Sequence, residues 1–275
     1  MKLKPPDCTV GIRSGPFDYI SHVPRFSTVV FDCDSTLSAV EGIDELAGPH
    51  RAAITALTDA AMRGELRLEE VYGRRIALVR PSRERLESLG ELYVERLVPD
   101  ARETVAALHA EGIAVRIVSG GLRPAVLAVA RALGVPDEHV AAVEVRFDRE
   151  GAFAGWDETS PLAYTMGKRA QLESWGSALV PPVMIVGDGI TDLEARPPAD
   201  AFIAFAGVIA RDAVTAAADA VVRERSLAPV LALALGDSQP RSREGRLLLE
   251  RAARGTSGQN AMKRDDREAA PPRSR

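Results

Sequence analysis

Hydrophobic positions cluster along the chain in short runs. TVVF from residue 28, IAVRIV from 113, VMIVG from 183 and AFIAF from 201 are almost continuously apolar and β-branched, the pattern of strands buried on both faces of a parallel sheet. Between them, residues near 100–111, 122–133 and 166–176 carry apolar positions at helical spacing. VAAVEVRFDREGAFAGW, ending at Trp156, predicts two short strands around a turn from Asp148 to Gly151. The alternation predicts an α/β fold: a doubly wound, mostly parallel, Rossmann-like sheet in three layers. Residues 38–98, between the first two strands, read as helices throughout and predict a small helical cap inserted after the first strand. The expected division is a leader over 1–24, a catalytic core over 25–37 and 99–236, the cap over 38–98, and a disordered tail over 237–275.

The ends of these strands carry the chemistry. The first run leads into Asp32 and Asp34, one residue apart; alternation along an extended chain sends both carboxylates to one side, with Cys33 facing away. Two like charges this close call for a cation or a proton between them, and a hard, oxygen-seeking ion such as Mg2+ fits. The second run ends in Ser119, Gly120 and Gly121 ahead of a predicted helix, a hydroxyl and bare N–H groups suited to a phosphate. Lys168 falls in the first turn of a predicted helix, the end where the macrodipole disfavours cations, so an anion is expected nearby. The third run ends in a Gly-Asp-Gly turn exposing Asp188, with Asp192 four positions on, adding carboxylates to the same metal site. Taken singly these are ordinary turn formers or surface charges; in one chain, each at a strand end or helix start, they predict a phosphoryl-transfer site.

FDCDSTL, VSGG, Lys168 and GDGITD, in that order, resemble the four motifs of the haloacid dehalogenase superfamily of phosphohydrolases. Within it, EGIDELA at 41–47, AMRGELRLEEVYGRRIALVRPSRE at 61–84 and GDGITDLEARPPADAFIAFAG at 187–207 resemble the phosphoserine phosphatases, a likeness spanning about residues 25–235. The resemblance implies hydrolysis of O-phosphoserine to serine and phosphate in serine biosynthesis. It implies Asp32 as nucleophile forming an aspartyl-phosphate, and Asp34 as acid and then base. Mg2+ would be held by Asp32, the main-chain carbonyl of Asp34 and Asp188, with Asp192 orienting its waters. Ser119, Gly120 and Lys168 would bind the phosphoryl group, joined by Thr191, which stands where many members carry asparagine. In the cap, Glu41 would take the substrate ammonium and Arg75, thirteen positions after Met62, its carboxylate. Met62 and Leu68 would close over the substrate as apolar packing. Two alternatives stay open: another small-molecule phosphatase or phosphotransferase of the superfamily, with homoserine as one acceptor, and a receiver-like module storing phosphate on Asp32. Dehalogenation needs neither Asp34 nor Mg2+ and is disfavoured.

Composition narrows the partners. With 275 residues, 46% hydrophobic and 27% charged, the chain suits one α/β core plus a cap. Two cysteines make no disulfide framework, and the four histidines, at 22, 50, 109 and 139, lack metal-ligand spacing. No window resembles a signal peptide or membrane span, so a cytoplasmic enzyme without membrane partners is expected. Residues 237–275 carry ten basic and six acidic side chains, a net of +4 in a chain whose total is -4. Mixed signs without interleaved aromatics argue against nucleic acid. The expected partner is a small phosphomonoester; pairing into a homodimer is left open.

Overall fold

The computed structural model describes residues 23–62, 66 and 68–253. Its centre is β1 (Thr28–Phe31), every residue of which is buried. Four helices follow: α1 (Gly42–Leu46), α2 (Arg51–Met62), α3 (Leu68–Val79) and α4 (Arg83–Glu95). Then come α5 (Ala101–Ala110), β2 (Ala114–Leu122), α6 (Arg123–Leu133), β3 (Val140–Val143), β4 (Val145–Phe147) and β5 (Phe153–Trp156). The chain continues through α7 (Gly167–Trp175), β6 (Val183–Gly187), α8 (Ile190–Glu194), β7 (Ala201–Phe205), α9 (Asp212–Ala217), β8 (Ala220–Val222) and α10 (Ala228–Leu235).

Six strands form one sheet in the order β3-β2-β1-β6-β7-β8, and every neighbouring pair in it is parallel. The strand order reverses beside β1: the chain fills one flank with β2 and β3, then crosses to β6, β7 and β8. Such a reversal leaves a crevice at the carboxyl ends of β1 and β6, where Asp32 and Asp188 leave the sheet. β4 and β5 pair separately as an antiparallel hairpin, turned at Asp148 to Gly151 as the sequence predicts. The three-residue β8 is too short to stand out as an apolar run.

The helical insertion is tied to the core at two places. Where the chain leaves and re-enters the core, Ala39 N–H donates to Arg96 O at 2.9 Å and Val98 N–H to Leu37 O at 2.9 Å. Helix α4 lies against α6 so closely that a Cβ on Gly90 would come 2.8 Å from Ala128 Cβ; glycine permits the approach, and the approach buries Leu86, Leu89 and Tyr93.

The tail departs from expectation. Residues 243–253 are helical and Leu248 is buried. The buried Glu111 carboxylate accepts from Arg241 N–H at 2.9 Å and Ser242 N–H at 2.8 Å, so a core residue caps this helix. Disorder from residue 237 is therefore incorrect as far as 253; the rest of the tail, and residues 1–22 of the leader, lie outside the described residues. Among the described residues no helix is long and apolar enough to cross a membrane.

Candidate active site

β1 ends at Phe31, and the next peptide still holds the sheet: Asp32 N–H donates to Val186 O at 2.9 Å. The chain then turns, with Ser35 at φ +53°, so Asp34 reaches the crevice through a turn, where strand alternation alone was expected to place it. Both aspartates line a cleft of about 210 Å³, together with Glu41, Ser119, Gly120, Lys168, Asp188 and Thr191. Cys33 is buried between the two aspartates in sequence, and its N–H donates to Asp32 Oδ1 at 2.7 Å.

Lys168 in the first turn of α7 meets the anions its position implied. Its Nζ lies 2.9 Å from Asp32 Oδ1 and 2.7 Å from Asp192 Oδ1. Burial works against its charge, but Asp192 and Asp32 outweigh it and hold its pKa above the ordinary lysine value. Burial pushes the Asp192 carboxyl up, Lys168 pulls it down and Asp32 pushes it up again; with an ammonium at 2.7 Å, the charged pair is the form that fits. Among the described residues both recorded contacts of Asp32 fall on Oδ1, which leaves Oδ2 for a ligand. Gly187 is required here, since a Cβ would come 2.1 Å from the Asp192 carboxyl carbon.

Asp34 differs in character. Burial pushes its pKa up to about 7, against a hydrogen bond from Tyr93 and with help from Asp32 and Glu41. Tyr93 Oη donates to Asp34 Oδ1 at 2.5 Å and Gly42 N–H to Oδ2 at 3.2 Å. Two carboxylic acids two positions apart thus have different tasks available: Asp32 is held by an ammonium, whereas Asp34 can carry or release a proton near neutrality.

Carboxylate oxygens of Asp32, Asp188 and Asp192 all lie within 4.8 Å of one another and all three residues are buried. Asp188 Oδ1 receives a weak hydrogen bond from Thr36 Oγ1 at 3.4 Å; Oδ2 meets Arg211 as an ion contact without a hydrogen bond. Three buried carboxylates balanced by Lys168 and one guanidinium form an all-oxygen donor set that suits a hard divalent cation. The side chain of Asp34 turns away to Tyr93 and Gly42 and is not in that cluster.

The insertion contributes unevenly. Glu41 lines the cleft, accepting from Ser35 Oγ at 2.6 Å. Arg75 does not line it; its Nη2 pairs with Asp44 Oδ1 at 2.5 Å. The side chains of Met62 and Leu68 lie outside the described residues. Several lining or supporting groups were not read from the sequence, Tyr93, Tyr72 and Arg211 among them. Tyr93 and Tyr72 gave no signal beyond helical periodicity. Arg211 did: it directly precedes α9, the cation-at-helix-start clue that singled out Lys168, and its Nη1 donates to Asp188 O at 3.2 Å while Nη2 lies 3.9 Å from Glu41 Oε1.

Comparison with known proteins agrees with this geometry. Residues 29–195 match the family model for haloacid dehalogenase-like hydrolases. Phosphoserine phosphatase of Rattus norvegicus is 39% identical over 189 residues, covering 68% of this chain and 84% of the relative. The chloroplastic phosphoserine phosphatase of Arabidopsis thaliana is 41% identical over 196 residues, covering 70% and 66%. A solved phosphoserine phosphatase, described as a phospho-aspartyl intermediate analogue, superposes with a TM-score of 0.62 at 27% identity, over 74% of this chain and 97% of that one. The model match spans the stretch from β1 to the end of α8, which holds every aspartate of the cleft, and the chain belongs to the haloacid dehalogenase-like hydrolases.

Proposed function

We propose that the protein is a Mg2+-dependent phosphoserine phosphatase working through an aspartyl-phosphate. The observation that carries the reading is a lysine-held Asp32 and, two positions on in the same small cleft, a buried Asp34 held by Tyr93 and Gly42. Asp32 Oδ2 attacks phosphorus and the bond to the seryl oxygen breaks; Asp34 gives that oxygen its proton. Water then attacks the same phosphorus and gives a proton to Asp34, the bond from phosphorus to Asp32 Oδ2 breaks, and the Asp32 carboxylate is restored with release of phosphate. Ser119 Oγ, the Gly120 turn and Lys168 hold the phosphoryl oxygens and offset the charge that builds on them, with Thr191 offering a further hydroxyl. Mg2+ suits the donor set: Asp32, Asp188 and the main-chain carbonyl of Asp34 would hold it and Asp192 would orient its waters, where it would screen the carboxylates and polarise the phosphoryl group. Support comes from the curated relatives named phosphoserine phosphatase and from the solved one captured as a phospho-aspartyl analogue.

Residues 38–98 serve in this reading as the cap that selects substrate. Glu41 faces the cleft as the partner for the ammonium, and Arg75 is the partner for the carboxylate, released from Asp44 when substrate binds. A carboxylate and a guanidinium together read a zwitterion, which favours a phosphorylated amino acid over a sugar phosphate. The test is phosphate release by the purified protein with Mg2+ or with chelator, across phosphoserine, phosphothreonine, phosphohomoserine, sugar phosphates and an aryl phosphate. A strong Mg2+-dependent preference for phosphoserine is expected. A flat or shifted preference would discard the substrate, and activity indifferent to chelator would discard the metal.

A further inference from the structure

Tyr72 projects from α3 into the wall of the cleft, and its hydroxyl donates to Gly120 O at 2.9 Å. Its ring is fixed from the other side by Trp156 on β5, with centroids 5.3 Å apart and planes inclined at 57°. Burial, and then the charge of Asp34, push the phenol above its ordinary pKa, so the hydroxyl stays a donor across the working range.

The acceptor is significant because of what shares its plane. Gly120 C=O and Gly121 N–H belong to one rigid trans peptide and point in opposite directions. On the far side of that peptide, Gly121 N–H donates to Ser119 Oγ at 3.0 Å. Both residues are glycine, so local sterics restrain this peptide's rotation little; it lies near the end of β2, where the register with β3 shifts, and the two hydrogen bonds anchor it there. A Cβ on Gly121 would lie 3.1 Å from Ser119 Oγ and 3.4 Å from Asp34 Oδ1, so the bare glycine lets both groups line the same cleft. With Oγ accepting from Gly121, the hydroxyl hydrogen of Ser119 is directed elsewhere and is available to an anion in the cleft.

We infer that Tyr72 is a positioning residue: it acts through the Gly120–Gly121 peptide to aim the Ser119 hydroxyl at a phosphoryl oxygen, so that phosphate is held well only when α3 is docked on the core. The inference rests on the assignment of Ser119 to phosphate in the proposed function, and leaves the identity of the esterified group open.

The test is a double-mutant cycle read by calorimetric binding of inorganic phosphate to the Mg2+-loaded protein, using wild type, Tyr72→Phe, Ser119→Ala and the double variant. Tyr72→Phe keeps the ring against Trp156 and removes only the hydroxyl. It is expected to weaken phosphate binding about fivefold in the wild-type background and less than about twofold once Ser119 is alanine, the non-additivity of groups acting as a unit. An equal loss in both backgrounds, or none in the wild type, overturns the relay, since a merely structural tyrosine would affect both alike. Failure of the wild type to bind phosphate would also overturn it. Coupling without phosphoserine turnover would keep the relay and remove phosphoserine as substrate.

Discussion

The sheet edge and the helical insertion both supply the cleft, yet they differ in how far sequence position decides where a side chain ends up. At the sheet edge, Asp32 and Asp188 follow β1 and β6 and Ser119 lies near the carboxyl end of β2, three adjacent strands of one sheet, and all line the same 210 Å³ cleft. A residue at the carboxyl end of a parallel strand has almost nowhere else to go, because register and pleat set its position to within a residue. In the insertion, Glu41 directly precedes α1 and faces the cleft, whereas Arg75 on α3 is turned to Asp44. A residue of an amphipathic helix points where the packing of that helix turns it, and a rotation by one position changes its direction by about 100°. Strand ends thus carry the chemistry, and helix faces carry what can be adjusted around it.

The comparison is broken most severely at Asp32. Asp32→Asn is expected to lower phosphoserine hydrolysis by about 10⁴-fold or more, since the amide is a far weaker nucleophile than the carboxylate. Thermal melting should stay close to that of the wild type, because an amide oxygen can still accept from Lys168 and Cys33 N–H. An Asp32→Asn protein with substantial turnover would sink the aspartyl-phosphate route.

The insertion's share is sharpened by a smaller effect. Arg75→Ala is expected to raise KM for phosphoserine about tenfold while leaving KM for a carboxylate-free aryl phosphate unchanged. Arg211 offers the rival outcome, since it already lines the cleft between Asp188 and Glu41. If Arg211→Ala shows that selectivity and Arg75→Ala does not, Arg75 belongs to the Asp44 ion pair alone. Steady-state kinetics on the two substrates separates the cases.

This contrast also explains what was legible in the sequence. The sheet could be read because its strands are buried on both faces and stand out as unbroken apolar runs; the residues grouped at their ends do meet in one cleft. Lys168 could be read because a cation at a helix start is electrostatically misplaced unless an anion awaits it. Arg211 carried the same signal and was overlooked because α9 is only six residues long. Tyr93 was illegible: within SRERLESLGELYVERL it looks like one more apolar position, and only the close approach of α4 to α6 and of Gly42 to its hydroxyl turns it onto Asp34. There a Cβ on Gly42 would come 2.1 Å from Tyr93 Oη. The helix at 243–253 was misread for the opposite reason. Its pattern is weak alone, and its partner, Glu111, lies more than a hundred residues earlier.

Glu111 gives the smallest expected effect and the cleanest test of whether such a remote partner, more than local pattern, holds a helix in place. Burial pushes its carboxyl up, but the Ser242 hydroxyl and the N–H groups of Arg241 and Ser242 outweigh it and hold its pKa below the ordinary 4.5. A carboxylate lowered in the folded state stabilises fully above its unfolded value, and that contribution fades as pH falls through the lower folded value. The helix at 243–253 should therefore be held at neutral pH and loosen only below about pH 4.5. Glu111→Gln removes the charge while keeping the size, and is expected to cost on the order of 1–2 kcal/mol of that docking. Faster amide exchange confined to 243–253 at pH 7, with little further change on acidification, is the expected reading. Phosphoserine turnover should barely move, since neither Glu111 nor this helix lines the cleft. Unchanged exchange in the variant would mean that Leu248 and its apolar neighbours hold the helix without the carboxylate.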